Sequence, residues 1–240
     1  GWINKVGVFA TEDAKDFDTG GPKMLRWLPG PEGRHIELGI SEMNLFMALG
    51  QYGLSYELSG QHLIPIGTVY DPFVCRGLDA LIYSLYVGSK MIFAGTPSGV
   101  SLSPEGGAHQ STVTPSLGIE LPGLDFYEPA FAREVEWMLL ESLRQCCDRE
   151  RGRSTYFRLS TKTIDQSLLD EALARLGEEE LRRQTLLGGY RLVDRRTAAP
   201  DLPAKDAVQI AAGGIMAPEA VAAARRLHAE GGAANVIVTT

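Results

Sequence analysis

A single carboxylate, Glu42, lies where the pattern predicts the start of a helix, between apolar neighbours in the segment 39–44. One interpretation is that its charge stabilises the amino end of that helix. The other is that a partly buried carboxyl group at this position shares a proton with a ring nitrogen of a ligand, which is acid–base chemistry. The local pattern leaves both interpretations open.

His109 lies in a loop of glycine and small polar residues, 103–111, with Glu105 four positions before it. Loops that follow the carboxyl end of a strand commonly build the active sites of α/β proteins. The alternative is an ordinary histidine exposed to solvent. The remaining histidines are interpreted as surface or structural residues: His35, His62 and His228.

Two aromatic residues, Tyr70 and Phe73, flank an Asp-Pro pair where a strand is predicted to pass into a helix. Asp71 is predicted to cap that helix and Pro72 to occupy its first turn. The aromatic rings either pack against the helix start or form a platform that stacks on a planar heterocycle. Arg76, one turn further on, is either a solvated side chain or an anchor for an anionic group.

Helices and strands alternate from residue 35 onward, which predicts a mostly parallel sheet with helices on both faces. The first 35 residues are poorly patterned, and 13–21 is interpreted as a loop. The segment 96–114, rich in Gly, Ser and Pro, resembles no scaffold element. Strands are predicted at 63–69, 90–95, 155–159, 190–193, 208–211 and 235–239. Helices are predicted to begin at Ser41, Pro72, Pro129 and Pro218 and to span 168–183.

Composition is that of an ordinary globular protein, with 44% hydrophobic residues in a chain of 240. The net charge of −7 without a basic stripe argues against nucleic acid and anionic membranes as partners. No apolar run reaches the roughly 20 residues that span a bilayer, and the first residues do not have the pattern of a signal peptide. Three cysteines without CxxC spacing argue against disulfides and zinc, so a reducing cytoplasm is expected.

Three segments in this order, 36–42, 65–77 and 94–110, resemble the transketolase superfamily. They are most similar to the homodimeric 2-oxo acid dehydrogenase decarboxylating component of the pyruvate dehydrogenase type, which uses thiamin diphosphate. The resemblance implies a pyrimidine-binding domain over residues 1–187. It also implies the start of a transketolase-type C-terminal α/β domain over residues 188–240.

The resemblance assigns roles to individual residues. Glu42 falls on the glutamate that activates the cofactor, and Phe73 on the aromatic that stacks on the aminopyrimidine, with Tyr70 beside it. Arg76 is counted with them among the cofactor-binding residues. Glu105 and His109 fall on a Glu-Gly-x-x-His loop whose histidine faces the substrate and stabilises charge there. The cofactor itself would accept the electrons released by loss of carbon dioxide.

The resemblance also implies Mg²⁺ and a diphosphate site built on Gly-Asp-Gly followed by an asparagine. No Gly-Asp-Gly occurs in this sequence, so no metal-binding residue is assigned here. Cofactor diphosphate and Mg²⁺ are expected to bind another domain, and the 240 residues are expected to be inactive alone. The parent is expected to be a homodimeric oxidoreductase that acts on a 2-oxo acid with a lipoyl-bearing acyltransferase component.

Two alternatives remain at this point. A transketolase-type transferase that acts on sugar phosphates would need basic residues for the phosphate, and the loop around His109 has few. A non-catalytic interaction module of the same fold is the other alternative. The presence together of Glu42, Phe73 and His109 argues against it, because a decayed site has no reason to keep all three.

Overall fold

The described residues of the amino-terminal part of the chain form a short helix and a small parallel ribbon. Residues 2–13, 29–201 and 207–240 are described by the structure, a computed structural model. Helix α1 (Trp2–Val6) precedes β1 (Val8–Phe9), which pairs in parallel with β2 (Pro29–Gly30). Most of the loop predicted at 13–21 lies outside the described residues.

The main sheet has four strands that are all parallel, in the order β3-β4-β6-β5. Its strands are β3 (Ile66–Val69), β4 (Ile92–Gly95), β5 (Leu124–Tyr127) and β6 (Ser154–Arg158). Every residue of β6 is buried, as expected for an inner strand of a parallel sheet covered on both faces. The predicted fold class, a mostly parallel sheet with helices, is confirmed.

Helices cover the main sheet on both faces. The side chains of successive strand residues point to opposite sides and therefore pack against helices on opposite faces. Phe93 of β4 packs edge-on against Phe46 and stacks on Tyr156 of β6. The neighbouring Ile92 belongs to a different cluster, with Met138 on the far side of the sheet. The helices on this part of the chain are α2 (Glu42–Gly53), α3 (Ser55–Ser59), α4 (Leu78–Tyr86), α5 (Thr114–Glu120) and α6 (Ala132–Cys147).

A second, three-stranded sheet follows, in the order β7-β9-β8. Its strands are β7 (Gly189–Val193), β8 (Val208–Gly213) and β9 (Ala234–Thr239), and its helices are α7 (Asp170–Leu176), α8 (Glu178–Leu186), α9 (Arg195–Ala198) and α10 (Ala217–Ala229). β8 and β9 are parallel, whereas β7 runs antiparallel to β9. This sheet begins close to the predicted domain boundary after residue 187, which stays a prediction.

Helix α6 joins the two sheets, because it contributes side chains to the cores on both sides. Met138 packs with the main sheet, and Trp137 packs with Leu192 and Val236 of the second. Glu134 of the same helix is fully buried. Its carboxylate accepts hydrogen bonds from the backbone N–H groups of Ala130 (2.6 Å) and Phe131 (2.9 Å) and from the Tyr190 hydroxyl (2.6 Å).

Several predicted elements differ from the structure. The single helix predicted over 168–183 is wrong: a 3₁₀ turn (Gln166–Leu169) leads into α7, and Gly177 separates α7 from α8. Gly177 has a φ of 78°, which glycine adopts without strain and which breaks a helix. The helix predicted from Pro129 begins instead at Ala132, because Glu134 caps the preceding N–H groups. Strand β5 was not predicted.

Helix length and hydropathy bear on the membrane question. Among the helices within the described residues, none combines the length and the apolar character needed to cross a membrane.

Candidate active site

Three segments that are distant in sequence meet beside the carboxyl ends of β3 and β4. Glu42 is the first residue of α2, and only 13% of its side chain is exposed. The segment after β3 is a 3₁₀ helix (Asp71–Gly77) that carries Phe73 and Arg76. The segment after β4 forms two further 3₁₀ turns, Gly99–Glu105 and Gly107–His109. Because β3 and β4 are parallel neighbours, the segments that follow them emerge on the same edge, where α/β proteins bind ligands.

Arg76 connects the glutamate to the aromatic platform. Its Nη1 lies 3.7 Å from Glu42 Oε1, and its guanidinium carbon lies 3.7 Å from the centre of the Phe73 ring. The side chain is 56% exposed, so the ion pair stabilises the fold by at most about 1 kcal/mol. Arg76 is therefore not simply solvated: it holds the carboxylate and covers one face of the ring.

Tyr70 connects the platform to the second loop. Its ring packs edge-on against Phe73, with 5.1 Å between centroids. Its hydroxyl donates to Glu105 Oε2 at 3.0 Å and lies 3.1 Å from His109 Nδ1. Burial, followed by the hydrogen bond and charge of Glu105, raises the pKa of Tyr70 above its usual value, so the phenol stays protonated.

This arrangement bears on which ring nitrogen of His109 faces a ligand. If the Tyr70 hydroxyl donates to Glu105, its oxygen is free to accept from Nδ1–H of His109, which leaves Nε2 for a ligand. About 41% of the His109 side chain is exposed, so a substrate could reach it. The structure thus brings all six predicted site residues into one connected cluster; their roles stay predictions.

Gly77 allows helix α2 to approach this cluster. A Cβ atom at Gly77 would lie 2.3 Å from the Phe46 ring and 2.7 Å from the backbone oxygen of Glu42. Only glycine therefore lets the first turn of α2 pack against the 3₁₀ helix that holds Phe73 and Arg76.

Gly77→Ala should lower the free energy of unfolding by about 1–3 kcal/mol, because the methyl group has no room and must displace the start of α2. Urea denaturation followed by circular dichroism measures the effect. Gly107→Ala is the matched control, since a Cβ atom there meets nothing within 4 Å. Equal stability of the two variants would contradict the close packing at Gly77.

A buried polar network lies beneath the cluster, and the sequence interpretation missed it. Asp71 was predicted to cap the helix, but this prediction is wrong: its side chain is fully buried and makes no cap hydrogen bond. It accepts instead from the hydroxyls of Ser111 and Tyr156, from Thr114 Oγ1 (2.9 Å) and from Arg158 Nε (3.3 Å). The sequence offered one signal of this network, which is Arg158 at the end of an apolar predicted strand. A buried charge of this kind needs a partner of opposite charge.

The other predicted details are partly confirmed. Ser41 occupies the N-cap position of α2, although its side chain makes no cap hydrogen bond there. His62 and His228 have structural contacts, since the Nε2 atom of each lies near a backbone oxygen, at 3.1 Å and 3.0 Å. Among the described residues, no group of three or more His, Cys, Asp or Glu side chains could hold a metal ion.

Comparison with the sequences of known proteins gives two distant relatives, whereas no model of a protein family matches the chain. The pyruvate dehydrogenase E1 component of Corynebacterium glutamicum is 26% identical over 114 residues, which cover 47% of this chain and 12% of that protein. A 6-deoxy-6-sulfo-D-fructose transketolase subunit from a Clostridium species is 25% identical over 207 residues, which cover 85% of this chain and 54% of that subunit.

Solved structures similar to this one include transketolases. A transketolase mutant from Pichia stipitis has a TM-score of 0.66 at 20% identity, over 87% of this chain and 27% of that one. The Campylobacter jejuni transketolase has a TM-score of 0.66 at 19% identity, over 87% of this chain and 28% of that one. A split gene transketolase, described as an inactive β4 tetramer, has a TM-score of 0.59 at 23% identity, over 85% of this chain and 56% of that one.

The chain thus spans about half, or less, of the length of the proteins it matches. At these identities the structural likeness establishes the fold. The resemblance to the transketolase superfamily that three short segments indicated is confirmed, and the chain has the fold of transketolases.

Proposed function

We propose that this chain is the aminopyrimidine-binding part of a thiamin-diphosphate-dependent 2-oxo acid dehydrogenase decarboxylating component. The observation that carries the proposal is the convergence of three segments on one cluster, in which Glu42, Phe73 and His109 are linked through Arg76 and Tyr70. The full protein would be a homodimeric cytoplasmic enzyme. It would pass the acyl group to a lipoyl-bearing acyltransferase.

The residues present fit the aminopyrimidine end of the cofactor. Glu42 offers a largely buried carboxylate, and Phe73 offers an aromatic surface next to it. In a partly apolar setting a carboxyl group forms a stronger hydrogen bond with a ring nitrogen and holds or returns a proton there. When bound, the cofactor would supply the electron sink for decarboxylation. Mg²⁺ would be held by residues other than those described.

Glu105 and His109 would face the substrate. Both side chains are partly exposed, and Tyr70 fixes them relative to Phe73. We assign to His109 the stabilisation of negative charge on the substrate carboxylate or oxygen, through Nε2. Glu105 would keep the histidine oriented by way of the tyrosine hydroxyl.

A transketolase-type transferase is the second candidate. Its support is the longer reach of the match to a transketolase subunit, 85% of the chain against 47% for the pyruvate dehydrogenase component. Against it, the segment 99–111 contains no Lys or Arg to bind a sugar phosphate. Assays of the full protein with pyruvate and with a ketose phosphate separate the two candidates.

Binding of thiamin to the ¹⁵N-labelled chain tests the aminopyrimidine site directly, without turnover. We expect amide shifts confined to residues 42–46 and 70–77. Phe73→Ala should weaken binding roughly two- to tenfold, since an aromatic pair contributes about 0.5–1.5 kcal/mol beyond its buried area. Phe9→Ala, which removes an exposed ring elsewhere, is the matched control.

Shifts outside those segments, or equal affinity for the Phe73→Ala and Phe9→Ala variants, would contradict the proposed site. The same titration with thiamin diphosphate and Mg²⁺ tests whether this chain also binds the diphosphate group. Affinity at the micromolar level would contradict the expectation that the diphosphate binds to another part of the enzyme.

A further inference from the structure

Arg158 ends strand β6, and only 7% of its side chain is exposed. Its guanidinium group donates hydrogen bonds in three directions. Nε donates to Asp71 Oδ2 at 3.3 Å, and Nη1 donates to Glu128 Oε1 at 2.5 Å. Nη2 donates to the backbone oxygen of Ser111 at 2.9 Å and to its hydroxyl oxygen at 3.2 Å. A planar fork of donors is needed to reach all of these acceptors at once.

These acceptors lie at the ends of separate elements. Asp71 follows β3, Glu128 follows β5, and Ser111 closes the segment 99–111. The opening of that segment also lies against the guanidinium, since a Cβ atom at Gly99 would be 3.2 Å from Nη2. One side chain therefore hydrogen-bonds one end of the segment that carries Glu105 and His109 and lies close to its other end.

The charges explain why this contact matters. Asp71 and Glu128 share a single guanidinium, and hydroxyl donors from Ser111, Thr114 and Tyr156 complete the hydrogen bonds of Asp71. Without the arginine, the carboxylates of Asp71 and Glu128, which follow the two edge strands β3 and β5, would lose the cation that they share. Since a buried unpaired charge is costly, the segment 99–111 would open to admit water.

We propose that Arg158 is a positioning residue: it anchors the segment 99–111 at Ser111, packs close to its start at Gly99, and thereby sets His109 and Glu105 against Tyr70. Tyr70 is held by the same group, because its chain neighbour is Asp71. The catalytic relevance of this positioning rests on the proposed function, but the positioning itself needs no cofactor.

Replacing Arg158 with glutamine tests the proposal in the 240-residue chain. Hydrogen exchange of amides in 99–111 should accelerate by at least about tenfold, since a segment released from its anchors opens locally. The imidazole ¹⁵N signals of His109, assigned with His109→Gln, should move as the Nδ1 contact with Tyr70 is lost. Arg158→Lys, which keeps the charge without the planar fork, should restore part of both effects.

Arg153→Gln is the matched control. Arg153 precedes the same strand and pairs with Asp125 at the opposite end of β5 and β6, so its loss should leave His109 and the segment 99–111 unchanged. If Arg158→Gln lowers the melting temperature but changes neither the exchange nor the His109 signals, the residue is merely structural and the proposal is overturned. Should Arg158→Gln fail to fold, Arg158→Lys is compared with Arg153→Gln by the same readouts.

The test separates this proposal from the proposed function. Altered His109 signals in Arg158→Gln, together with no binding of thiamin to the unchanged protein, would support the positioning role and reject the aminopyrimidine site. Thiamin binding to the unchanged protein, together with unaltered His109 signals in Arg158→Gln, would support the aminopyrimidine site and reject the positioning role.

Discussion

On the proposed function, Glu42→Gln should lower the turnover of the complete enzyme by about 10²–10⁴-fold, the usual contribution of a general acid–base group. Glutamine keeps the shape of the side chain and can still hydrogen-bond a ring nitrogen, but it cannot hold and return a proton there. Steady-state rates with pyruvate measure the effect. The fold should be unaffected, because the ion pair lost with Arg76 is exposed on the arginine side.

Glu37→Gln is the matched control for this experiment. Glu37 precedes α2 by five residues, is exposed, and pairs with His35, with 3.6 Å between His35 Nε2 and Glu37 Oε1. The Glu37→Gln variant should have the same turnover as the unchanged enzyme, within the error of the assay. Unchanged turnover in Glu42→Gln would remove the catalytic assignment, whatever the effect on thiamin binding.

Glu134→Ala should lower the free energy of unfolding by about 3–5 kcal/mol. The change leaves the N–H groups of Ala130 and Phe131 and the hydroxyl of Tyr190 buried without an acceptor, and each such group costs about 1–3 kcal/mol. Guanidinium denaturation measures the loss. Glu136→Ala, on the exposed side of the same helix, should cost less than about 0.5 kcal/mol. A loss below 1 kcal/mol at Glu134 would contradict the buried carboxylate.

The pH dependence of stability gives a second readout at the same residue. Burial raises the pKa of Glu134 above its usual 4.5, although the hydrogen bonds from Tyr190 and the backbone act against this. Between pH 4.5 and the raised pKa the folded chain holds a proton that the unfolded chain has lost. The stabilisation from this group is therefore full below pH 4.5 and is lost as pH rises through the folded pKa. Glu134→Gln should not show this loss.

The grouping of the candidate site residues could be expected, because their types and spacing resemble the pattern of the transketolase superfamily, whereas their roles stay predictions. Glu42, Phe73 and His109 each lie in a short recognisable segment, and the structure connects them. The contacts of Arg76 could not be predicted, since a sequence gives no sign of which carboxylate an exposed arginine will meet. Asp71 was misassigned because an Asp-Pro pair before a helix usually indicates a cap, whereas burial turned this side chain toward Arg158.

The fold was predictable where hydrophobic periodicity was strong, as in α6 and β4. It was not predictable where a single backbone angle decided the outcome, as at Gly177, where a positive φ splits one expected helix in two. β5 was missed because it is a short edge strand of four residues with two that are only partly buried. Alternation along such a strand is too brief to identify.

The strand order of the second sheet has a consequence for synthesis. All four strands of the main sheet are available for pairing once residue 158 has emerged from the ribosome. β7 and β8, in contrast, each pair with β9 and with no other strand of the described residues, and β9 is made last of the three. A nascent chain that extends beyond residue 213 but has not reached residue 234 therefore displays two strands with open hydrogen-bonding edges, and edges of this kind pair with other chains. During that interval of translation the nascent chain is exposed to aggregation through these two strands.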